Sequence, residues 1–61
     1  MTGPVFEWYN DKAKKFRFRL KAANGEIIAV SESYTSKEGY VKGIESVKKN
    51  ASLAKIVEAK D

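Results

Sequence analysis

One segment restricts the fold of this chain more than any other, the stretch FRFRLKAANGEII at positions 16–28. Apolar and basic residues alternate strictly along its first half, and this spacing of two is typical of a half-buried strand. Asn24-Gly25 follows, the strongest short-range signal for a tight hairpin turn, and apolar residues resume directly after it. The segment therefore predicts two antiparallel strands with an apolar face and a basic face.

Three strands and a register follow from this pattern. A β-branched and aromatic run predicts a first strand over 5–9, and the hairpin supplies strands over 15–22 and 26–31. The register is obtained by counting outward from a two-residue turn. It pairs Ala22 with Ile27, Lys21 with Ile28, Leu20 with Ala29, Arg19 with Val30, Phe18 with Ser31 and Arg17 with Glu32.

This register divides the side chains between two faces of the sheet. The predicted apolar face holds Phe16, Phe18, Leu20, Ala22, Ile27 and Ala29. The opposite face holds the basic residues and a predicted ion pair between Arg17 and Glu32. It also holds Ile28 and Val30, and two apolar residues on an otherwise solvated face indicate a further contact.

A helix is predicted over 37–50, because apolar residues recur there at helical spacing and charged residues fill the other side. Ser36 caps this helix, or Thr35 does with Glu38 completing a capping box, and Asn50 is the expected terminator. The apolar stripe consists of Tyr40, Ile44, Val47 and Ala51.

Gly39 and Gly43 lie four residues apart on one side of this helix. Glycine within a helix costs about 1 kcal/mol relative to alanine, so a packing reason is expected for at least one of them. The absence of a side chain allows another element to approach closely. Either the sheet of the same chain or a second helix is the predicted neighbour.

A last short strand is predicted over 55–59, where Ile56 and Val57 make both of its faces apolar. The order of three strands, a helix and a strand indicates a two-layer α+β domain that spans residues 1–61. A domain of this size buries only about 60% of its unfolded surface, so its stability is marginal without further support.

The amino-acid composition excludes several kinds of functional site but does not assign a function. The chain has no Cys and no His, which rules out disulfides, Cys/His metal sites and Cys/His or Ser/His nucleophiles. We predict no catalytic residues, no metal and no cofactor, and a cytoplasmic location with no membrane span. An enzyme with carboxylate or Ser/Lys chemistry, working in a cleft at a dimer interface, is retained as an alternative.

The net charge of +4 is confined to the first hairpin, because residues 1–25 carry six basic and two acidic residues and the remainder carries six of each. A solvated face is the favoured interpretation. Weak binding of nucleic acid or another polyanion is the alternative. Its candidate contacts are Lys12, Lys14, Lys15, Arg17, Arg19, Lys21 and the possible stacking residue Tyr9.

The segments FEWY at 6–9, FRFRLKAANGEIIA at 16–29, SE at 31–32 with Tyr34, and GIESVKKNA at 43–51 closely resemble the YegP-like family of small bacterial and archaeal proteins. The resemblance covers nearly the whole chain. It implies a single three-strand, helix, strand unit without known catalytic or ligand-binding residues. It further implies a homodimer whose two copies share one sheet and exchange their C-terminal strands.

A homodimer would account for the apolar residues that the register leaves without a partner. A strand that is apolar on both faces is best used inside a larger sheet. The expected function is therefore that of a non-catalytic protein-interaction or ligand-binding module. The residues predicted for the dimer interface are Val5, Ile28, Val30, Ile56 and Val57.

Overall fold

Three antiparallel strands and one helix make up the computed structural model, which describes residues 3–60. The strands are β1 (Val5–Asn10), β2 (Phe16–Lys21) and β3 (Ile27–Val30), and they form one sheet in the order β1-β2-β3. The helix α1 covers Lys37–Ala51. The α+β class, the three strands and the helix are thus confirmed, and each predicted boundary lies within one residue of the observed one.

The connection between β2 and β3 is a three-residue turn, so the prediction of a two-residue turn was wrong. The Gly25 N–H donates to the Ala22 carbonyl at 2.9 Å, and the Ala22 N–H donates to the Glu26 carbonyl at 2.8 Å. Gly25 has a φ of 90°, a left-handed conformation that glycine adopts without steric cost. The Asn-Gly pair serves this turn equally well, because three-residue hairpin loops place glycine at their left-handed last position.

A β-bulge between Leu20 and Lys21 offsets the extra turn residue. Lys21 therefore lies opposite Ile27 instead of Ile28, and Ala22 lies opposite Glu26 instead of Ile27. Residues opposite each other share a face, so Ile27 joins the basic face and not the predicted apolar one. Beyond the bulge the predicted register is restored: Leu20 pairs with Ala29, Arg19 with Val30, and the Ser31 N–H donates to the Phe18 carbonyl at 2.9 Å.

The helix begins at Ser36, whose hydroxyl accepts a hydrogen bond from the Gly39 N–H at 3.1 Å. Ser36 is thus the cap, and the alternative of a Thr35–Glu38 capping box was wrong. Asn50 does not terminate the helix. Its side-chain amide donates to the Ser46 carbonyl at 2.9 Å, a bond to the preceding turn that keeps Asn50 within α1.

An aromatic cluster holds α1 against the sheet. Phe18 and Tyr40 are each 5% exposed and form the buried core of residues 3–60. The Tyr40 ring packs 5.6 Å from Trp8 and 5.4 Å from Phe16, and the Phe18 ring stacks 6.0 Å from Tyr34. These separations lie within the range at which aromatic pairs attract one another. The cluster therefore joins β1, β2 and the first half of α1.

The two helix glycines make room for Tyr34, which pairs with Phe16 through backbone hydrogen bonds of 2.7 and 2.8 Å. A Cβ atom on Gly43 would lie 2.5 Å from the Tyr34 hydroxyl oxygen, and one on Gly39 would lie 3.3 Å from the Tyr34 ring. The close approach predicted from the glycine spacing is therefore made within this chain, by the segment that connects β3 to α1.

The predicted C-terminal strand does not form within the single chain. Residues 54–60 are neither helical nor in a strand, and their side chains are exposed. A strand requires a hydrogen-bonding neighbour. The apolar character of Ile56 and Val57 is not sufficient to form a strand without one.

Candidate functional site

The basic residues of β2 are matched by acidic residues of the neighbouring strand. Across the β1–β2 ladder, Glu7 lies opposite Arg19, and Arg19 Nε donates to Glu7 Oε1 at 2.6 Å. Lys21 Nζ approaches the same oxygen at 3.7 Å. The hydrogen bond from Arg19, followed by the positive charge of Lys21, lowers the pKa of the Glu7 carboxyl. Glu7 therefore neutralises part of the basic face.

Arg17 is also paired, but with a different acid from the one predicted. Its Nε donates to Asp11 Oδ2 at 3.1 Å, so the predicted pair with Glu32 was wrong. The physical reason is that regular pairing between β2 and β3 ends near Ser31, whereas Asp11 directly follows β1 beside the start of β2. The Lys15 N–H and then the Arg17 side chain lower the pKa of the Asp11 carboxyl.

The turn between β1 and β2 carries the remaining basic charge. Among the described residues, Lys12, Lys14 and Lys15 form no ion pair, and all three are exposed. We call them the hairpin-tip lysines. Asp11 holds this turn together, because its Oδ1 accepts hydrogen bonds from the backbone of Ala13 at 2.9 Å and of Lys15 at 3.0 Å. The candidate anion contacts thus divide into a paired set on β2 and an unpaired set at the tip.

Tyr9 was the predicted stacking residue, and the structure covers its ring with a cation. The guanidinium carbon of Arg19 lies 4.9 Å from the Tyr9 ring centroid. This cation–π contact occupies one face of the ring, which is then not open to a stacking base. Trp8, by contrast, lies opposite Phe18 on the helix-facing side of the sheet, yet it is 52% exposed. Sequence reasoning missed this because periodicity indicates the face of a residue but not how far the opposite layer extends.

An apolar groove of about 260 Å³ opens between β3 and the second half of α1. No sequence-based prediction placed a groove here. Two features of the sequence could have indicated the groove. Ala29 is a small residue, and the apolar stripe of the helix extends beyond the part of the helix that the sheet covers. The residues that line the groove are Phe6, Phe18, Leu20, Ala29, Val30, Ser31, Glu32, Tyr34 and Val47.

The residues predicted for a dimer interface are all exposed in the single chain, and they form two groups. Val5 lies opposite Lys21, and Val30 opposite Arg19, so both lie on the basic face, with Ile28 at the bulge beside them. Ile56 and Val57 belong to the C-terminal segment, where they are 102% and 80% exposed. The single chain does not bring the two groups together.

Neither a metal site nor a membrane span is found in the part of the chain that the structure describes. Within residues 3–60, no three acidic side chains gather into a group that could hold an ion. The one helix of this part is too short and too polar to cross a bilayer.

The fold and these surfaces are those of a small two-layer α+β domain with one open sheet face. Residues 11–58 match the family model described as "Domain of unknown function (DUF1508)". A UPF0339 protein from Treponema denticola is 66% identical over 53 residues, which cover 87% of this chain and 91% of that protein. The chain belongs to this family, which confirms the resemblance to YegP-like proteins.

Other relatives differ in length. A UPF0339 protein encoded in the ptx operon 5′ region of Stutzerimonas stutzeri is 65% identical and covers 84% of this chain, but the match covers only 45% of that protein. The match to YegP of Escherichia coli is 52% identical and covers 75% of this chain and 42% of that protein. A protein from Haloferax volcanii, solved by NMR in solution, is 47% identical with a TM-score of 0.86, covering 97% of this chain and 100% of that one.

Proposed function

We propose that this chain acts as a homodimeric, non-catalytic binding module in which each copy places its C-terminal segment in the apolar groove of the other. The observation that carries the proposal is a match between two parts of the chain. The groove beside β3 presents apolar side chains. Leu53 at the end of the helix and Ile56 and Val57 of the C-terminal segment are 72–102% exposed.

The size of the core supports the same assembly. Only Phe18 and Tyr40 are buried among the apolar residues of positions 3–60, and small domains without disulfides or metals commonly gain stability by oligomerisation. Burial of apolar surface contributes about 25 cal/mol per Å². Insertion of Ile56 and Val57 into the groove would therefore stabilise both the segment and the open end of the domain.

Backbone geometry gives the segment a place to bind. β3 is an edge strand of the sheet, and an edge strand offers unpaired N–H and C=O groups to an added strand. A C-terminal segment paired there would become a strand, as the sequence pattern predicts for 55–59. The lengths of the relatives support this arrangement, because some are long enough for two such units and others for one.

The mass in solution and one pair of variants test the proposal. We expect light scattering to give twice the 6.8 kDa of one chain at micromolar concentration. Ile56→Asp should shift the mass to that of the monomer and lower the urea midpoint, since a charge would enter the groove. Ala23→Asp adds the same charge on the exposed hairpin turn and should leave both measurements unchanged. A monomeric wild type with an intact fold would contradict the proposal.

Disulfide trapping distinguishes exchanged segments from other dimers. Because the chain has no cysteine, Ala29→Cys and Ile56→Cys chains can be prepared separately and mixed under oxidising conditions. We expect a heterodimeric disulfide to predominate, because the groove of one copy would face the segment of the other. Replacing Ala29→Cys by Ala23→Cys should abolish it. Equal trapping by both would contradict an exchange of C-terminal segments.

A further inference from the structure

Trp8 is the one exposed side chain among the seven aromatic residues, all of which lie within positions 3–60. Its indole stacks on Tyr40 with ring centroids 5.6 Å apart and an angle of 21° between the planes. This contact fixes the orientation of the ring, and half of the Trp8 surface still faces solvent. An aromatic ring held in place and exposed in this way is a ready platform for another flat ring.

The hairpin-tip lysines lie next to this platform. Trp8 precedes the end of β1 by two residues, which corresponds to about 7 Å along a strand. The tip begins immediately after β1 and ends with Lys15, which directly precedes Phe16. The Phe16 ring lies 5.9 Å from Trp8. The exposed indole and three cations that form no ion pair within residues 3–60 are therefore grouped at one end of the β1–β2 hairpin.

This grouping changes the interpretation of the basic hairpin. The sequence pattern assigned anion contacts to Arg17, Arg19 and Lys21 with Tyr9 beside them, but Asp11 and Glu7 pair with the arginines and Arg19 covers Tyr9. The groups available to a ligand are instead at the tip and on the side of the sheet that faces the helix. Cations that track phosphates beside an aromatic stacking residue are the combination by which proteins bind single-stranded nucleic acid.

We propose that Trp8 and the hairpin-tip lysines form a binding site for a short stretch of single-stranded nucleic acid. A base stacks on Trp8, and the neighbouring phosphates contact Lys12, Lys14 and Lys15. Binding is independent of base sequence, because the site relies on a ring face and on charges. The duplex is excluded as a ligand because stacking on Trp8 requires an unpaired base.

This site and the proposed dimer contact lie at opposite edges of the sheet. Trp8 belongs to β1, whereas the second copy would pair along β3, and the groove reaches β1 at Phe6 but is not lined by Trp8. A second copy bound along β3 therefore leaves the edge at β1 accessible. The two proposals can consequently fail or succeed independently, and the mass measurement above does not decide this one.

The first test uses the wild-type protein and an oligothymidylate of about ten nucleotides at low salt. Trp8 is the single tryptophan, so its fluorescence reports on the proposed site directly. We expect quenching that saturates with oligonucleotide and weakens as salt is added. For three phosphate contacts, log K should fall with log[salt] with a slope of about −2. The matching duplex should quench far less.

Variants of equal charge separate the tip from the rest of the surface. In K12Q/K14N/K15Q, the asparagine suits the left-handed conformation of Lys14, whose φ is 63°, and we expect the salt-dependent binding to be lost. The control K42Q/K48Q/K49Q removes the same three charges from α1 and should bind as the wild type does. Equal losses in the two variants would overturn the proposal, because binding would then follow net charge alone.

The contribution of stacking is tested with Trp8→Leu, which keeps an apolar contact for Tyr40. With a labelled oligothymidylate followed by anisotropy, we expect binding to weaken about tenfold. Heparin, a polyanion without bases, should bind this variant and the wild type equally. Unchanged oligonucleotide affinity in Trp8→Leu, or no quenching in the wild type, would overturn the site. Circular dichroism of each variant establishes that its fold is retained.

Discussion

The two halves of the interface between α1 and the sheet differ in what fills them. At the closed end, the first half of α1 packs Tyr40 against Trp8 and Phe16, and Gly39 and Gly43 admit the Tyr34 ring. At the open end, the second half of α1 presents Val47 across a groove from Leu20 and Ala29. The same layers are therefore complete at one end and unfilled at the other.

The difference shows which part of the domain is supported by its own chain. Rings of the closed end span the distance between helix and sheet, whereas the short side chains of Val47 and Ala29 do not. Uncovered apolar surface in contact with water contributes little to stability. The closed end therefore organises the single chain, and the open end is where the proposed second copy would add stability.

The largest loss of stability is expected from a substitution that disrupts the closed end. Phe18→Ala removes a ring that is 95% buried and packed on Phe6 and Tyr34, and it should cost about 3–5 kcal/mol in the free energy of unfolding. Val47→Ala at the open end should cost about 1 kcal/mol or less, because Val47 is 37% exposed. Urea denaturation at low protein concentration measures both. If Phe18→Ala does not fold, Phe18→Leu takes its place, and comparable costs at the two positions would refute the comparison.

A smaller effect is expected from crowding the closed end with a single methyl group. Gly43→Ala would bring Cβ within 2.5 Å of the Tyr34 hydroxyl oxygen and 3.1 Å of the Phe18 ring, so we expect a loss of about 1–3 kcal/mol despite the better helix propensity of alanine. Gly39→Ala meets Tyr34 only at 3.3 Å and should be nearly neutral. Thermal unfolding of the two variants compares them. A Gly43→Ala protein more stable than the wild type would contradict the packing described.

The smallest effect is expected from the charged face, which lies on the other side of the sheet. Glu7 accepts a hydrogen bond from Arg19, and Asp11 accepts one from the Lys15 backbone. These bonds lower the pKa of both carboxyls in the folded protein. A lowered pKa means that the unfolded chain binds protons more readily, so this stabilisation is present above about pH 4.5 and is lost as the pH falls further. Both pairs are partly exposed to solvent, which keeps the effect small.

Acid titration of stability measures this term, with Glu7→Gln as the test and Glu32→Gln as the control. Glu32 is exposed and forms no ion pair among the described residues. Glu7→Gln should flatten the decline in stability below about pH 4.5, and Glu32→Gln should retain it. Identical profiles in the two variants would show that the Arg19–Glu7 pair contributes nothing. The difference in stability cost between substitutions at the closed end and at the open end should persist at every pH of the titration, since it depends on packing.

Local pattern accounted for most of the fold and for much less of the site. Alternation from Phe16 to Lys21 and the helical stripe led to the correct elements, because these periodicities reflect which residues a strand or a helix can present to one side. The turn at Asn24-Gly25 was placed correctly and assigned the wrong length. Its sequence is compatible with two loops, and the bulge at Leu20 compensates for the difference.

The partners of the charged residues depended on distances that no local pattern contains. The predicted pair of Arg17 with Glu32 came from extending the β2–β3 ladder past its end. In the structure, Asp11 of the neighbouring turn pairs with Arg17 instead. Likewise, the exposure of Trp8 depends on where α1 crosses the sheet. Both features concern relations between elements, which require the complete set of contacts in three dimensions.

By itself, the sequence determined the α+β class, the boundaries of three strands and the helix, two candidates for the helix cap and the need for close packing at the glycines, because each follows from the chemistry of a few neighbouring residues. Only the tertiary structure decided that Tyr34 occupies the glycine surface, that Glu7 and Asp11 neutralise the arginines, and that a groove separates β3 from Val47. The physical reason is that packing and ion pairing depend on how elements are placed against one another.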